Sequence, residues 1–459
     1  MDRQVARTDD TCPRGEQVAA GANVAAAGTR VGVGETASAR PGRGAILGVV
    51  ALAIVVRLGL AGVPFDFSGP DSATYLEPAA SLAAGHGYAD AAGRPTAARP
   101  PGYPAFVALC YLAAGGPSDL AVRVAQALLG GAAALLVFAA LRGAGGGHRL
   151  SLAGAGLLAV DPIAAGQSPY LLREALLLTL VAAVCAAVVG LRGRARLVAS
   201  GLSLAALALT HQVYILLGPF LAAADVFMHR RAGWSALARR VAVWAAVGLM
   251  VALPVTLWAR RNERVTGRLS FTLAENPVVA RELWLTVTCP NRWLNGDPVT
   301  GFQAAAWAEE ARLVETLGLE GATRELYRRA GETWRAHPLR SLGRLALMNF
   351  WYWAELPGAI SLVEHPRLFV ARWALLPFHW VRLACACAGL LAALRDPRWR
   401  ALRPTAGVWA FFALAPALLY PIPRYLAPAC PLLDLLAVVG LAGALERRAG
   451  ARRVEEESA

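Results

Sequence analysis

The sequence predicts an all-α polytopic membrane protein, with about ten transmembrane helices and further helices lying along the outer face. Three observations predict it. The 459 residues are 56% hydrophobic with a mean hydropathy of +0.45, which leaves too little polar surface to cover a soluble fold. Apolar runs approaching the roughly twenty helical residues of a bilayer core recur along most of the chain. The net charge of +14 falls in short clusters between those runs, where it orients helices in a bilayer; it forms no continuous basic surface for nucleic acid.

Taken in order, residues 1–44 are rich in Gly, Ala and Arg, lack the apolar core of a cleaved leader, and read as a disordered cytoplasmic tail. Spans are expected at 45–63, 118–141, 150–165, 171–190, 197–210, 212–228, 239–257, 372–394, 404–420 and 425–445. An N-terminal membrane module, 45–257, thus carries a first outer loop at 64–117. A hydrophilic outer-face segment at 258–340, a second membrane module at 341–445 and a cytoplasmic tail at 446–459 follow.

Two more apolar runs, 103–115 and 343–357, are ambiguous, and arginines decide them. The short basic loops "RGAGGGHR" (142–149), "RGRAR" (192–196), "HRRAGWSALARR" (229–240), "RDPRWR" (395–400) and "ERRAGARR" near the C-terminus belong on the cytoplasmic side. They share that side only if neither ambiguous run crosses, so both are read as helices in the outer interface. Both termini then lie in the cytoplasm of a multi-pass protein of the inner membrane. The seven cysteines, Cys12, Cys110, Cys185, Cys289, Cys385, Cys387 and Cys430, are scattered and odd in number, and read as small core residues, not as a disulfide or metal framework.

This topology collects the unusual polar residues on one face. Asp71 precedes a short amphipathic helix in "DSATYLEPAASLAAG", where capping that helix is its simplest use. Arg99 precedes "PPGYPAF", whose paired prolines stiffen the chain and whose Tyr103 suits headgroup depth; an arginine there meets a lipid phosphate, or merely snorkels. Glu174 sits one turn into an apolar helix, at a cost of about 2.5 to 3.5 kcal/mol unless it has a partner. Arg173 beside it faces another way. Arg261, at the outer end of "LPVTLWARRN", suits an anion, and Arg424 and Tyr425 begin the last span. His211 lies at another outer junction, where a lone histidine is usually structural.

The sequence has no HExxH, no phosphate-binding loop, no GxSxG and no Cys/His cluster with metal spacing. A carboxylate and several arginines remain. Such a set activates a hydroxyl by general base catalysis while cations hold a departing phosphate.

The ordered motifs "D-x-x-x-Y" (Asp71, Tyr75), "A-x-x-L-x-x-G-x-G-Y", "RPPGYP-x-F", "S-x-x-x-x-x-E" (ending at Glu174), "LP-x-x-L-W-x-R-R-N" and "RY-x-x-P-x-x-P" resemble the GT-C superfamily of integral-membrane glycosyltransferases. The resemblance is closest to the branch of dolichyl-phosphate-mannose protein mannosyltransferases and lipid A aminoarabinose transferases. It implies a polyprenyl-phosphate-linked sugar donor, an acceptor that is a lipid, a polysaccharide or a protein, and inverting transfer at the outer face. It also implies Asp71 as general base, Arg99, Arg261 and Arg424 on the donor phosphate, and Glu174, Tyr75, Tyr103, His211 and Tyr425 in support. No cofactor is required on this reading, because the first loop lacks a DxD motif, although room is left for a divalent ion between Asp71 and Glu174. The family often has Arg where this chain has His211. Two rivals stand beside this reading: a flippase for polyprenyl-linked glycans, which should show inverted repeats, and a non-catalytic membrane subunit.

Overall fold

The computed structural model describes residues 42–62, 71–272, 276–288, 302–356, 366–419 and 423–458. Of the expected tail at 1–44, residues 1–41, with Cys12, lie outside the described residues, as does Cys289, while Arg43 and Gly44 already belong to the first helix. The fold is all-α and built of membrane helices; among the described residues the only β pairing is an isolated bridge between Ala89 and Pro95.

In chain order the helices are α1 (Arg43–Ala61), α2 (Ala73–Ala83), α3 (Gly102–Ala114), α4 (Asp119–Gly143), α5 (His148–Val160), α6 (Pro162–Ala165), α7 (Glu174–Gly190), α8 (Gly193–Thr210), α9 (Leu217–Met228) and α10 (Trp234–Thr266). The chain continues through α11 (Asn276–Thr288), α12 (Phe302–Ala336), α13 (Pro338–Ala354), α14 (Pro366–Arg395), α15 (Thr405–Leu419) and α16 (Cys430–Ser458). Short 3-10 helices at Gln212–Leu216 and Pro423–Ala429 lead into α9 and α16.

Local chemistry explains several boundaries. Ser118 caps α4 by accepting the Ala121 N–H at 3.2 Å. Asp161 does the same for Ile163 at 2.8 Å, and Pro162 then opens α6, so the expected span at 150–165 divides there. His211 is extended and separates α8 from the 3-10 turn.

Five segments of the described chain are long and apolar enough to cross a membrane: Arg43–Ala61, Asp119–Gly143, Trp234–Thr266, Trp373–Arg395 and Arg424–Glu456. The other expected spans form shorter helices. Of these, α7 is the most enclosed, with 13 of its 17 residues buried. The ambiguous runs form α3 and α13; the 13 residues of α3 rise about 20 Å, short of a roughly 30 Å hydrocarbon core.

Where α14 meets α16, backbones touch. A Cβ on Gly389 would collide with the Leu436 carbonyl, and one on Gly440 with the Cys385 carbonyl. Small residues permit such close crossings in membranes, where dispersion between helices replaces the hydrophobic drive. Gly389→Ala should therefore lower stability by about 1 to 3 kcal/mol, read as an earlier thermal unfolding in detergent. An unchanged midpoint would show that the helices can part without cost.

Sequence reading passed over the charges inside the bundle. Arg382 on α14 is buried against Asp161 and lies 3.6 Å from Asp434 on α16, and its Nη2 meets His379 Nδ1 at 3.0 Å. Arg57 on α1 is buried too, donating to the carbonyls of Leu158 (3.2 Å) and Ala159 (3.1 Å). Such charges survive in a membrane because they find one another or backbone carbonyls.

Between α10 and α14, α11 packs on α12 and also touches α13 and α15. Glu309 and Glu325 each take arginine partners. Glu309 bonds Arg312 at 2.7 Å and Arg329 at 2.8 Å; Glu325 bonds Arg328 at 2.6 Å and Arg329 at 2.8 Å. These bonds bring both carboxyls down to about 2. Pairs so close to water add little stability.

Candidate active site

Asp71 lies just before α2, but its carboxylate does not cap that helix. Its backbone carbonyl instead accepts from the Thr74 N–H (3.1 Å) and hydroxyl (2.6 Å). The carboxylate turns away to two arginines: Arg99 Nη2 donates to Oδ1 at 2.7 Å, and Arg424 Nη2 to Oδ2 at 3.1 Å. Burial alone would raise the pKa of this carboxyl, but Arg99 and Arg424 together outweigh burial and hold it below the ordinary aspartate value.

Arg424 bridges two acids, because its Nε lies 3.1 Å from Glu174 Oε1. Glu174 is 2% exposed at the start of α7, and its Oε2 accepts no hydrogen bond among the described residues. The cost of a carboxylate at that position is thus met by an arginine from the far end of the chain. Arg173, set aside in the sequence because it points away from Glu174, is also buried at this site. Its Nη2 reaches the Tyr425 hydroxyl at 3.5 Å and its guanidinium lies 5.8 Å from the Tyr75 ring centroid and 5.9 Å from that of Tyr425. The signal for it was an Arg–Glu pair opening an apolar helix, where neither charge is affordable alone.

Arg99 is held on several sides. Its Nε donates to Thr74 Oγ1 at 3.0 Å, its guanidinium lies 5.0 Å from the Tyr75 ring centroid, and its carbonyl accepts from the Tyr88 hydroxyl at 2.9 Å. The following prolines fix the backbone, and Gly102 then touches Leu209 and Thr210 so closely that a Cβ would lie 2.5 Å from the Thr210 hydroxyl. This contact seats α3 against the end of α8.

Arg261 does not reach the carboxylates. It donates to the carbonyls of Thr96 and of Tyr88 (2.8 Å), while Thr272 donates to the Ala98 carbonyl at 2.7 Å. The end of α10 and the strand of chain after it therefore staple the loop that carries Arg99. Tyr103 is buried within the protein, and its hydroxyl donates to Gln126 Oε1 at 2.9 Å. Gln126, unremarked in the sequence, donates onward to the carbonyls of Ser168 (2.6 Å) and Tyr170 (2.8 Å). The Tyr103 ring meets Tyr75 edge-on at 5.3 Å, which helps place the floor under Arg99. His211 is buried with its ring 5.2 Å from Tyr425, and its Nδ1 accepts from the Val213 N–H at 3.3 Å. Glu77 accepts from the Ala91 N–H at 3.2 Å, closing α2 onto the loop.

Asp71 and Glu174 thus face Arg99, Arg173 and Arg424, an arrangement with one positive charge in excess. It holds an ionised carboxylate among fixed cations at the helix ends, which is what hydroxyl activation beside an anionic leaving group requires. Among the described residues no three of His, Cys, Asp and Glu gather as a metal-ligand group.

No family model matches this sequence, and neither does any curated protein. Solved structures do. The Archaeoglobus fulgidus oligosaccharyltransferase tethered to an acceptor peptide containing the NVT sequon aligns at 14% identity with a TM-score of 0.50, over 88% of this chain and 50% of that one. The same archaeal enzyme in complex with an inhibitory peptide and a dolichol-phosphate aligns at 14% identity and a TM-score of 0.50, over 90% of this chain and 52% of that one. ArnT from Cupriavidus metallidurans, bound to undecaprenyl phosphate, aligns at 18% identity with a TM-score of 0.39, over 86% and 77%. The chain spans about half the length of the oligosaccharyltransferase structures it matches. At such identity the likeness is one of fold: this chain has the helical membrane fold found in an archaeal oligosaccharyltransferase.

Proposed function

We propose that this chain is an integral-membrane glycosyltransferase, moving a sugar from a polyprenyl-phosphate carrier to an acceptor hydroxyl at the outer face of the inner membrane. The observation that carries the proposal is the Asp71 carboxylate held between Arg99 and Arg424, with Glu174 on the far side of Arg424. In this reading the shorter helices complete a ten-span bundle with both termini in the cytoplasm. The motif resemblance and the shared fold support it, and the fold-mate bound to a dolichol-phosphate shows that such a fold accommodates a lipid phosphate.

Asp71 takes the proton of the acceptor hydroxyl as its oxygen bonds to the anomeric carbon and the bond from that carbon to the phosphate oxygen breaks. Attack from the face opposite the phosphate inverts the configuration. The polyprenyl phosphate departs with one more negative charge, which the site's excess positive charge receives. In the resting site the arginines lower the basicity of Asp71. A donor phosphate competes for Arg99 and Arg424, and their withdrawal restores basicity when the sugar is in place. Arg261 acts on this reading by fixing the Arg99 loop, and Arg173 adds charge beside Tyr425. No cofactor is needed, because Arg424 supplies the cation between the two acids; a divalent ion there would have to displace it.

The test is transfer from radiolabelled polyprenyl-phosphate sugars to envelope acceptors, in membranes with and without the chain. Label should pass to lipid, polysaccharide or protein, and the rate should survive a metal chelator. Failure with every donor tried would remove the glycosyltransferase reading and put the flippase in its place.

A further inference from the structure

A second polar site lies at the other end of the same helices. On α8, Arg196 precedes Thr210 by about 21 Å of helical rise, and on α10, Arg240 precedes Arg261 by about 31 Å. Between the start of α8, the end of α9 and the start of α10 is a cavity of about 290 Å³, lined by Arg196, Ser200, Asp225, Arg239, Arg240 and Trp244. That volume is close to the lower end of small-ligand pockets, roughly 300 Å³.

The charges within it do not cancel. Asp225 is fully engaged: Arg240 Nη1 donates to its two oxygens at 2.9 and 3.1 Å, Trp244 Nε1 donates at 3.1 Å, and His229 Nδ1 lies 3.4 Å away. Arg240 therefore neutralises Asp225. Arg196 and Arg239 have no ion-pair partner among the described residues, and both line the cavity. Ser200 is 2% exposed and its hydroxyl has no hydrogen-bond partner among the described residues. A buried hydroxyl costs free energy unless something supplies the missing bond. Two guanidinium groups outside any described ion pair, the exposed Arg239 and the half-buried Arg196, together with the Ser200 hydroxyl, are the donors that a phosphate ester takes up.

The setting favours a lipid over a soluble ester. Beside the cavity, Val198 (46% exposed), Val241 (51%) and Trp234 (83%) present apolar side chains outward, the surface that acyl chains cover while a headgroup enters. We propose that this cavity binds the phosphate of an anionic phospholipid headgroup, on the membrane face opposite Asp71. The site is independent of glycosyl transfer.

Native mass spectrometry of the full chain in detergent tests it, with phosphatidylglycerol, phosphatidylcholine and glycerol 3-phosphate as separate probes. Phosphatidylglycerol should give a saturable adduct, and phosphatidylcholine should not. Arg196→Gln with Arg239→Gln should weaken that adduct at least tenfold. Arg192→Gln with Arg194→Gln, which removes the same charge from the exposed turn beside the cavity, should leave it intact. Neither pair touches the Asp225, Arg240 and Trp244 contacts, and equal melting temperatures verify folding. Equal loss from both pairs, or equal binding of phosphatidylcholine, would overturn the site. Binding of glycerol 3-phosphate through Arg196 and Arg239 without phosphatidylglycerol binding would overturn the lipid as its source.

Discussion

Asp71→Asn should reduce transfer of labelled sugar at least a hundredfold at equal protein level, since a positioned general base contributes roughly 10² to 10⁴-fold. The amide keeps the shape of the carboxylate and its one oxygen can still accept from one of the two arginines, but its NH2 cannot accept from the other and the amide cannot take a proton. Its effect should fall on kcat, with KM for the donor little changed. The pH profile gives a second readout. Because the arginines hold the Asp71 pKa below its ordinary value, the carboxylate stays ionised until the pH falls through that lowered pKa. The kcat/KM profile, which reports the donor-free site, should accordingly stay level down to about pH 5 on its acid side, and whatever stability the pairing contributes should be lost only below that range. Equal transfer by the asparagine variant would reduce Asp71 to an anchor for two arginines.

Arg424→Met should cost both activity and stability. Glu174 is 2% exposed, and removing Arg424 leaves it with no ion pair described elsewhere in the fold. Breaking a buried pair from one side costs about 3 to 5 kcal/mol. Losing a cation aimed at a departing phosphate should lower kcat by roughly 10² to 10³. A double variant separates the two effects. With Glu174→Gln added, the buried carboxylate is no longer stranded, so stability should largely return while transfer stays low. If the double variant recovers transfer as well, Arg424 serves only to neutralise Glu174, and the donor phosphate must be met by Arg99 and Arg173.

Much of this site was legible in the chain, and the reason is topological. The arginine-bearing loops predict Asp71, Arg99, Glu174, His211 and Arg424 at the same ends of their helices, and the fold brings these residues together. The identities of the partners were not legible. Arg424 meets Asp71 across 353 residues, and no local pattern says that it, and not Arg261, will arrive there. Arg261 and Arg424 are alike in sequence as arginines at outer helix ends; one is drawn to loop carbonyls and the other to two acids. Arg173 enters the site through Tyr75 and Tyr425, contacts that its place beside Glu174 in the chain does not announce.

The same division holds for the bundle. By itself the sequence determined the membrane class and the positions of most of the helices, because hydropathy, charge clusters and proline act over a few residues. Only the tertiary structure decided which short helices are enclosed, how Asp161, Arg382 and Asp434 share the interior, and where Gly389 and Gly440 let backbones touch. Those outcomes depend on contacts between segments far apart in the chain, where a buried charge or an absent Cβ has meaning only against the surface it meets.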